Sequence, residues 1–160
     1  MGPVIRLGSS RPVGTEPKVA PPEVTGREVT RPAELAGFHH VRVPVSDVLV
    51  SRDFYAEVFG LEPVMVVEEE DRIIGVVLGH GSGVVVGLHE APERARALRG
   101  FAVLGLSCPD LAAWVDRLDR LGIRHGPMED RHLGRCVLVA DPDGILVALH
   151  SLELPSVDIA

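Results

Sequence analysis

From residue 37 onward the apolar positions fall into two recurring rhythms. Val41, Val43 and Val45 occupy alternate positions, and so do Leu104, Leu106 and Cys108. A period of two marks a strand with one buried face, expected over 38–45 and 101–108. After each strand the spacing becomes helical: Phe54, Tyr55, Val58 and Phe59 in one place, Leu111, Trp114, Val115, Leu118 and Leu121 in the other. Ser51 reads as the N-cap of the first helix, and Gly60 and Gly122 read as the stops. Three strands are expected after each helix, at 62–69, 72–79 and 83–89 and then at 124–130, 134–140 and 144–150. Asp141-Pro142-Asp143-Gly144 is a reverse turn, and Glu68-Glu69-Glu70-Asp71 a solvated strand end and turn.

The two halves are one unit written twice. Gly37-Phe38 returns as Gly100-Phe101 and Asp47 as Asp110, at an offset of 63 residues. Gly60 answers to Gly122, Gly83 to Gly144 and Leu88 to Leu149 as the offset shortens to 62 and then 61. A register that drifts slowly across six landmarks is the mark of a duplicated β-α-β-β-β unit. It divides the chain into a domain at 37–152, with module one at 37–90 and module two at 100–152, and a tail at 153–160. Residues 1–36 differ in composition: they hold six prolines and the single lysine, Lys18, and no aromatic residue. Proline fixes φ and removes ladder donors, so this leader is expected to be extended or disordered.

Composition narrows the range of partners. A net charge of −7 works against nucleic acid, which requires a concentrated basic footprint, and aromatics at 4% leave few platforms for stacking bases. No apolar run approaches the roughly 20 residues of a membrane helix, and no targeting segment is apparent, so a cytoplasmic protein is expected. Cys108 and Cys136 make no disulfide framework and suit a reducing compartment as buried structural thiols. Gly79-His80-Gly81-Ser82-Gly83 lacks the lysine and helix start of a phosphate loop and reads as a hairpin turn. His80, His125 and His132 fall in or near turns.

Phe38-His39-His40-Val41, the alternation to Val45, Ser46-Asp47, then Ser51, Phe54-Tyr55 and Phe59-Gly60-Leu61 resemble the opening of the vicinal oxygen chelate superfamily. That group includes glyoxalase I, extradiol dioxygenases, and fosfomycin- and bleomycin-resistance proteins. Asp141-Pro142-Asp143-Gly144 before an apolar strand resembles its closing signature, so the likeness spans about 37–152. The resemblance implies an α+β fold in which two tandem β-α-β-β-β modules form a curved, partly closed mixed sheet around a cavity, helices outside. It also implies a homodimer. On that frame His40, Arg42 and Pro44 face the cavity, His39 points the opposite way from His40, and Val103, Gly105 and Ser107 line module two. The last strands contribute Val85, Gly87 and His89, then Leu146, Ala148 and His150. Metal-dependent relatives take ligands from the first and last strands of a module. Here His40 keeps a donor, while Val103, Gly87 and Ala148 do not, and a divalent ion needs about three protein ligands.

The leading expectation is a small-molecule-binding protein with a degenerate metal site and no cofactor. Its pocket, lined by His40, Arg42, Val103, Gly105, Ser107 and Ala148, favours a neutral or anionic, partly apolar ligand. Small residues leave room, and Arg42 offers a bidentate fork to a carboxylate or phosphate. The alternative is a lyase, isomerase or dioxygenase holding zinc, nickel, iron or manganese on a relocated trio, His40, His89 and His150, or on ligands from a second subunit. A metal-free acid–base enzyme with His40 as proton shuttle is a third reading, and an interaction protein without a pocket a fourth.

Overall fold

A computed structural model describes residues 3–7, 36–131 and 134–151. Most of the leader, His132 and the tail at 153–160 lie outside the described residues. In chain order the elements are Val4–Leu7 (β1), Val41–Val45 (β2), Val48–Phe59 (α1), Glu62–Glu69 (β3), Arg72–Gly79 (β4) and Val85–Glu90 (β5). Then follow Pro92–Ala97 (α2), Ala102–Cys108 (β6), Leu111–Arg120 (α3), Glu129–Arg131 (β7), Gly134–Ala140 (β8) and Leu146–Ser151 (β9). The β-α-β-β-β element order thus occurs in both halves. Its strands form two sheets rather than one: β1-β3-β4-β5-β2 and β6-β9-β8-β7. In each, the first strand of the module runs parallel to its last strand, and the remaining pairings within the module are antiparallel.

Several expectations need correction. Helix α1 begins four residues earlier than Ser51 implied: its N-cap is Asp47, whose Oδ1 accepts from the backbone N–H of Leu49 (2.9 Å) and Val50 (3.0 Å). Ser51 lies inside the helix, buried, with its hydroxyl unpartnered. Asp110, the repeat counterpart of Asp47, caps α3 the same way through the Ala113 N–H at 2.9 Å. Asp outranked Ser here because its side chain reaches the orphan N–H groups just before the first apolar helical residue. Gly60 ends α1 with φ 69°, the left-handed conformation that only glycine enters without a Cβ penalty. The stretch 124–130 is mostly not a strand: His125 makes one isolated bridge to Val139, and β7 covers only three residues.

Two elements had no sequence signal. Helix α2 starts at Pro92, which tolerates the first turn of a helix, but its apolar residues are too few to show a period. Strand β1, from the leader, pairs in parallel with β3 from Val4 opposite Val66 to Leu7 opposite Glu69. It covers an edge that would otherwise expose unpaired backbone groups. The hairpin between β3 and β4 turns through Glu70 and Asp71, both at positive φ (48° and 59°), as a tight two-residue connection demands.

Val43, Val45, Tyr55, Val58, Val76, Val86, Leu118, Val137, Val147 and Leu149 form the core, packed between the sheets and the helices. Cys108 and Cys136 are both free and buried, as expected. The modules are held together by polar contacts at one junction. Asp143 accepts from the Ser46 N–H at 2.9 Å and from the Ser46 hydroxyl. Buried Asp141 accepts from the Tyr55 hydroxyl at 3.2 Å and from the N–H groups of Asp143 and Ile145, each at 2.9 Å. Arg117 of α3 donates to the Val58 carbonyl (3.1 Å) and the Glu57 carbonyl (2.5 Å), placing a cation at the C-terminal end of α1 where orphan carbonyls gather. Among the described residues no helix is long and apolar enough to cross a membrane.

Candidate functional site

The alternation of β2 sorts its side chains as expected. Val43 and Val45 are fully buried on the helix side, while Arg42 and Pro44 turn to the other face. There they line a cavity of about 400 Å³ together with His89 of β5 and Arg94, Ala97 and Leu98 of the α2 segment. Arg42 stands opposite Gly87 and Pro44 opposite His89 in the parallel ladder. A Cβ at Gly87 would lie 3.4 Å from the His40 ring and 3.7 Å from the Arg42 stem, ordinary van der Waals contact, so both side chains pass close over this residue. Arg42 makes no hydrogen bond or ion pair among the described residues, and its guanidinium has its five donors available.

His40 precedes β2 rather than belonging to it, so strand alternation does not govern it. His39 was expected to face away. Instead the two imidazoles meet, Nδ1 to Nδ1 at 2.6 Å, with ring centroids 4.8 Å apart and nearly perpendicular planes. One ring must donate and the other accept, so at least one of the pair is neutral in this arrangement.

In module two, Gly105 pairs with Ala148 and Ser107 with His150, putting these four on one face of the second sheet. A Cβ on Gly105 would sit 3.6 Å from the His150 ring. Val103 departs from the expectation: the register shifts between Ala102 and Leu104, and this bulge leaves Val103 half-buried against the core. Gly105 and Ser107 line a different cavity, of about 580 Å³, bounded by Phe59, Leu61, Trp114 and the His80–Ser82 turn. Within one chain, then, the expected lining is divided: Arg42 belongs to one cavity, Gly105 and Ser107 to another.

Within one chain the described residues do not bring the donors of a divalent ion together. Among the described residues no group of three or more His, Cys, Asp or Glu side chains is placed to hold a metal. His40 and His89 belong to the first sheet's side and His150 to the second, so the relocated trio is not assembled within one chain. The inherited positions at Gly87, Val103 and Ala148 carry no ligating atom. His150 keeps a buried Nδ1 without a hydrogen-bond partner. Burial pushes the Cys108 thiol up to about 11, which keeps it protonated and a poor nucleophile.

Sequence reasoning missed Arg94, because the helix that carries it has no apolar period; Pro92 followed by Glu93 was the available signal. It also missed the junction of Ser46, Tyr55, Asp141 and Asp143. The Asp-Pro-Asp-Gly turn was legible, but its partners lie 86 and 97 residues away.

The Glyoxalase/Bleomycin resistance protein/Dioxygenase superfamily model matches residues 37–149, and the chain belongs to that superfamily. Solved structures share the fold. TnmS3, an antibiotic binding protein from Streptomyces sp. CB03234, is 26% identical, with a TM-score of 0.61 over 74% of this chain and 98% of that one. A bleomycin resistance determinant encoded on the transposon Tn5 is 23% identical, with a TM-score of 0.59 over 74% and 99% of the two chains. The fosfomycin resistance protein FosX from Listeria monocytogenes is 18% identical, with a TM-score of 0.58 over 74% and 94%. A FosX variant has been solved with Mn(II) and a dihydroxypropylphosphonic acid. No curated protein sequence matches this chain.

Proposed function

We propose that this protein binds a small, anionic, partly apolar molecule without a metal, and that Arg42 is the anchor. The observation that carries the reading is Arg42, whose stem passes over Gly87 and whose guanidinium is unpaired among the described residues, at the wall of a cavity also lined by Pro44, Ala97 and Leu98. Apolar walls with a few convergent polar groups are the usual make-up of a ligand site. Arg94 and His89 border the same cavity, each already engaged in an interaction of its own.

Two copies of the chain complete the pocket. Gly105, Ser107, Ala148 and His150 line the open face of the second sheet, and a partner subunit brings that face over Arg42 and His40. The likeness to an antibiotic binding protein supports sequestration as the purpose of binding. The competing reading is a divalent-metal lyase, isomerase or dioxygenase whose ligands come from both subunits, His40 from one and His150 from the other.

Isothermal titration of metal-stripped protein with phenylphosphonate decides the anchor. Wild type binds it, and Arg42→Ala weakens binding at least tenfold, since a charge-assisted hydrogen bond contributes about 1.5–3 kcal/mol. Equal affinity in the variant overturns the assignment. Metal content after exposure to zinc, nickel, iron(II) or manganese is measured on wild type and His40→Ala. A stoichiometric ion lost in the variant would replace this reading with the metal enzyme.

A further inference from the structure

The duplication creates two equivalent junctions between modules, and the chain closes only one of them. At the closed junction the turn residues are Asp141 and Asp143, and Ser46 and Tyr55 reply with hydrogen bonds. The repeat places His80 where the other turn has Asp141, Ser82 where it has Asp143, and Pro109 where the closed junction has Ser46. The backbone of the two turns is the same: Gly83 N–H to the His80 carbonyl and Gly144 N–H to the Asp141 carbonyl are both 2.9 Å. The inner contact is also reproduced, with His80 Nδ1 accepting from the Ser82 N–H at 3.1 Å as Asp141 Oδ1 accepts from Asp143. The outward contact is lost. Pro109 has no N–H to give, and the Ser82 hydroxyl is turned back to His80 Nδ1 at 2.7 Å.

What remains there is a cleft of about 580 Å³. Trp114 occupies the position equivalent to Ser51 of α1, and its ring meets Phe59 with centroids 6.2 Å apart and planes tilted by 36°. The half-buried Trp114, Val84 and Leu106 form the accessible apolar wall, with Phe59 and Leu61 buried behind it. Among the described residues no Asp, Glu, Lys or Arg side chain lines the cleft. Because Nδ1 of His80 accepts from a backbone N–H, a neutral His80 carries its proton on Nε2 and presents one N–H donor at the rim.

We propose that this cleft is a second binding site, distinct from the Arg42 cavity, for an uncharged flat aromatic molecule bearing a carbonyl oxygen. The ring stacks on Trp114, with Phe59 packed behind it, and the carbonyl accepts from His80 Nε2–H. Burying an ionised ligand among these walls would go uncompensated, so anions are excluded.

Trp114 is the sole tryptophan, so its fluorescence reports this site alone. 1-Acetonaphthone should quench it saturably and bind about fivefold more tightly than naphthalene, the ratio that one neutral hydrogen bond supplies. 1-Naphthoate should not bind. His80→Ala should bring the acetonaphthone-to-naphthalene ratio to about one while leaving naphthalene affinity in place. Pro109→Phe, which fills the cleft from an exposed position outside the Arg42 pocket, should abolish quenching by both with an unchanged melting temperature. No saturable quenching of wild type, tight binding of 1-naphthoate, or a ratio unaltered by His80→Ala would each overturn the proposal. Trp114 does not line the Arg42 cavity, so this result stands or falls separately from anion binding there.

Discussion

Asp141 concentrates the chemistry of the closed junction in one side chain. Burial raises its pKa above the usual value of 3.8, and the nearby charge of Asp143 adds to the effect. The N–H groups of Ile145 and Asp143 and the Tyr55 hydroxyl pull it back down without cancelling the shift. Tyr55 itself is driven well above the usual phenol range by burial first and by the Asp141 charge second, so it stays a donor at any accessible pH. Because the folded chain holds the Asp141 proton more tightly than the unfolded chain, this carboxyl contributes stability fully below pH 3.8. That contribution is lost as pH rises through the raised folded value, and the curve then levels. Asp141→Asn keeps an acceptor for the two backbone N–H groups and removes the titration. Urea unfolding across the acid range should therefore show a flatter stability profile in the variant, equal to or above wild type at neutral pH. A neutral-pH loss beyond about 2 kcal/mol would mean the ionised form is needed for the junction. Tyr55→Phe should instead cost about 1–2 kcal/mol and push the wild-type decline to higher pH, because it deletes one of the bonds that lowers the Asp141 pKa.

At the level of the element, helix starts and strands were not equally legible. The strands at 62–69 and 72–79 were readable because β-branched and apolar residues alternate between clear turn signals, and β3 and β4 coincide with them. The 124–130 stretch misled because its one large apolar residue, Met128, is exposed, so no buried face holds a strand along most of its length. The cap of α1 was misread by four residues because Val48, Leu49 and Val50 look like a continuing strand, whereas only Val48 of the three is buried. Which face a residue takes was legible by the same rule: a period of two puts Arg42, Gly105 and Ser107 where they line cavities, while Val103 sits at a bulge and Arg94 on a helix without a period. The cap carries a direct test. Asp47→Ala should lower stability by about 1 kcal/mol, since two orphan N–H groups lose their acceptor. Ser51→Ala should be neutral or stabilising, because it removes a buried hydroxyl that has no partner. Chemical denaturation of the two variants separates the assignments: a larger loss in Ser51→Ala than in Asp47→Ala would return the cap to Ser51.

Across the whole molecule, the two sheets leave matching faces and edges open. β2 stands at one end of the first sheet and β6 at one end of the second, and each is the first strand of its module. Just before them lie Phe38 and Phe101, equivalent in the repeat and exposed by 78% and 64%. Large aromatics at such exposure beside open strand edges favour burial against another chain. If a second copy lays its β6 face over the first copy's β2 face, the Arg42 cavity gains Gly105, Ser107, Ala148 and His150 as its opposite wall. Twofold symmetry then generates two identical pockets from one interface. Binding at the Arg42 cavity and association are therefore expected to fail together. Light scattering during the phenylphosphonate titration should give twice the 17.2 kDa chain mass for wild type. Phe38→Glu combined with Phe101→Glu places charges on surfaces that one chain does not bury, so the fold should keep its circular dichroism while the mass falls to one chain and phenylphosphonate affinity falls with it. A wild-type protein that binds phenylphosphonate as a monomer would show that one chain's Arg42 cavity suffices and that the second sheet serves a different ligand.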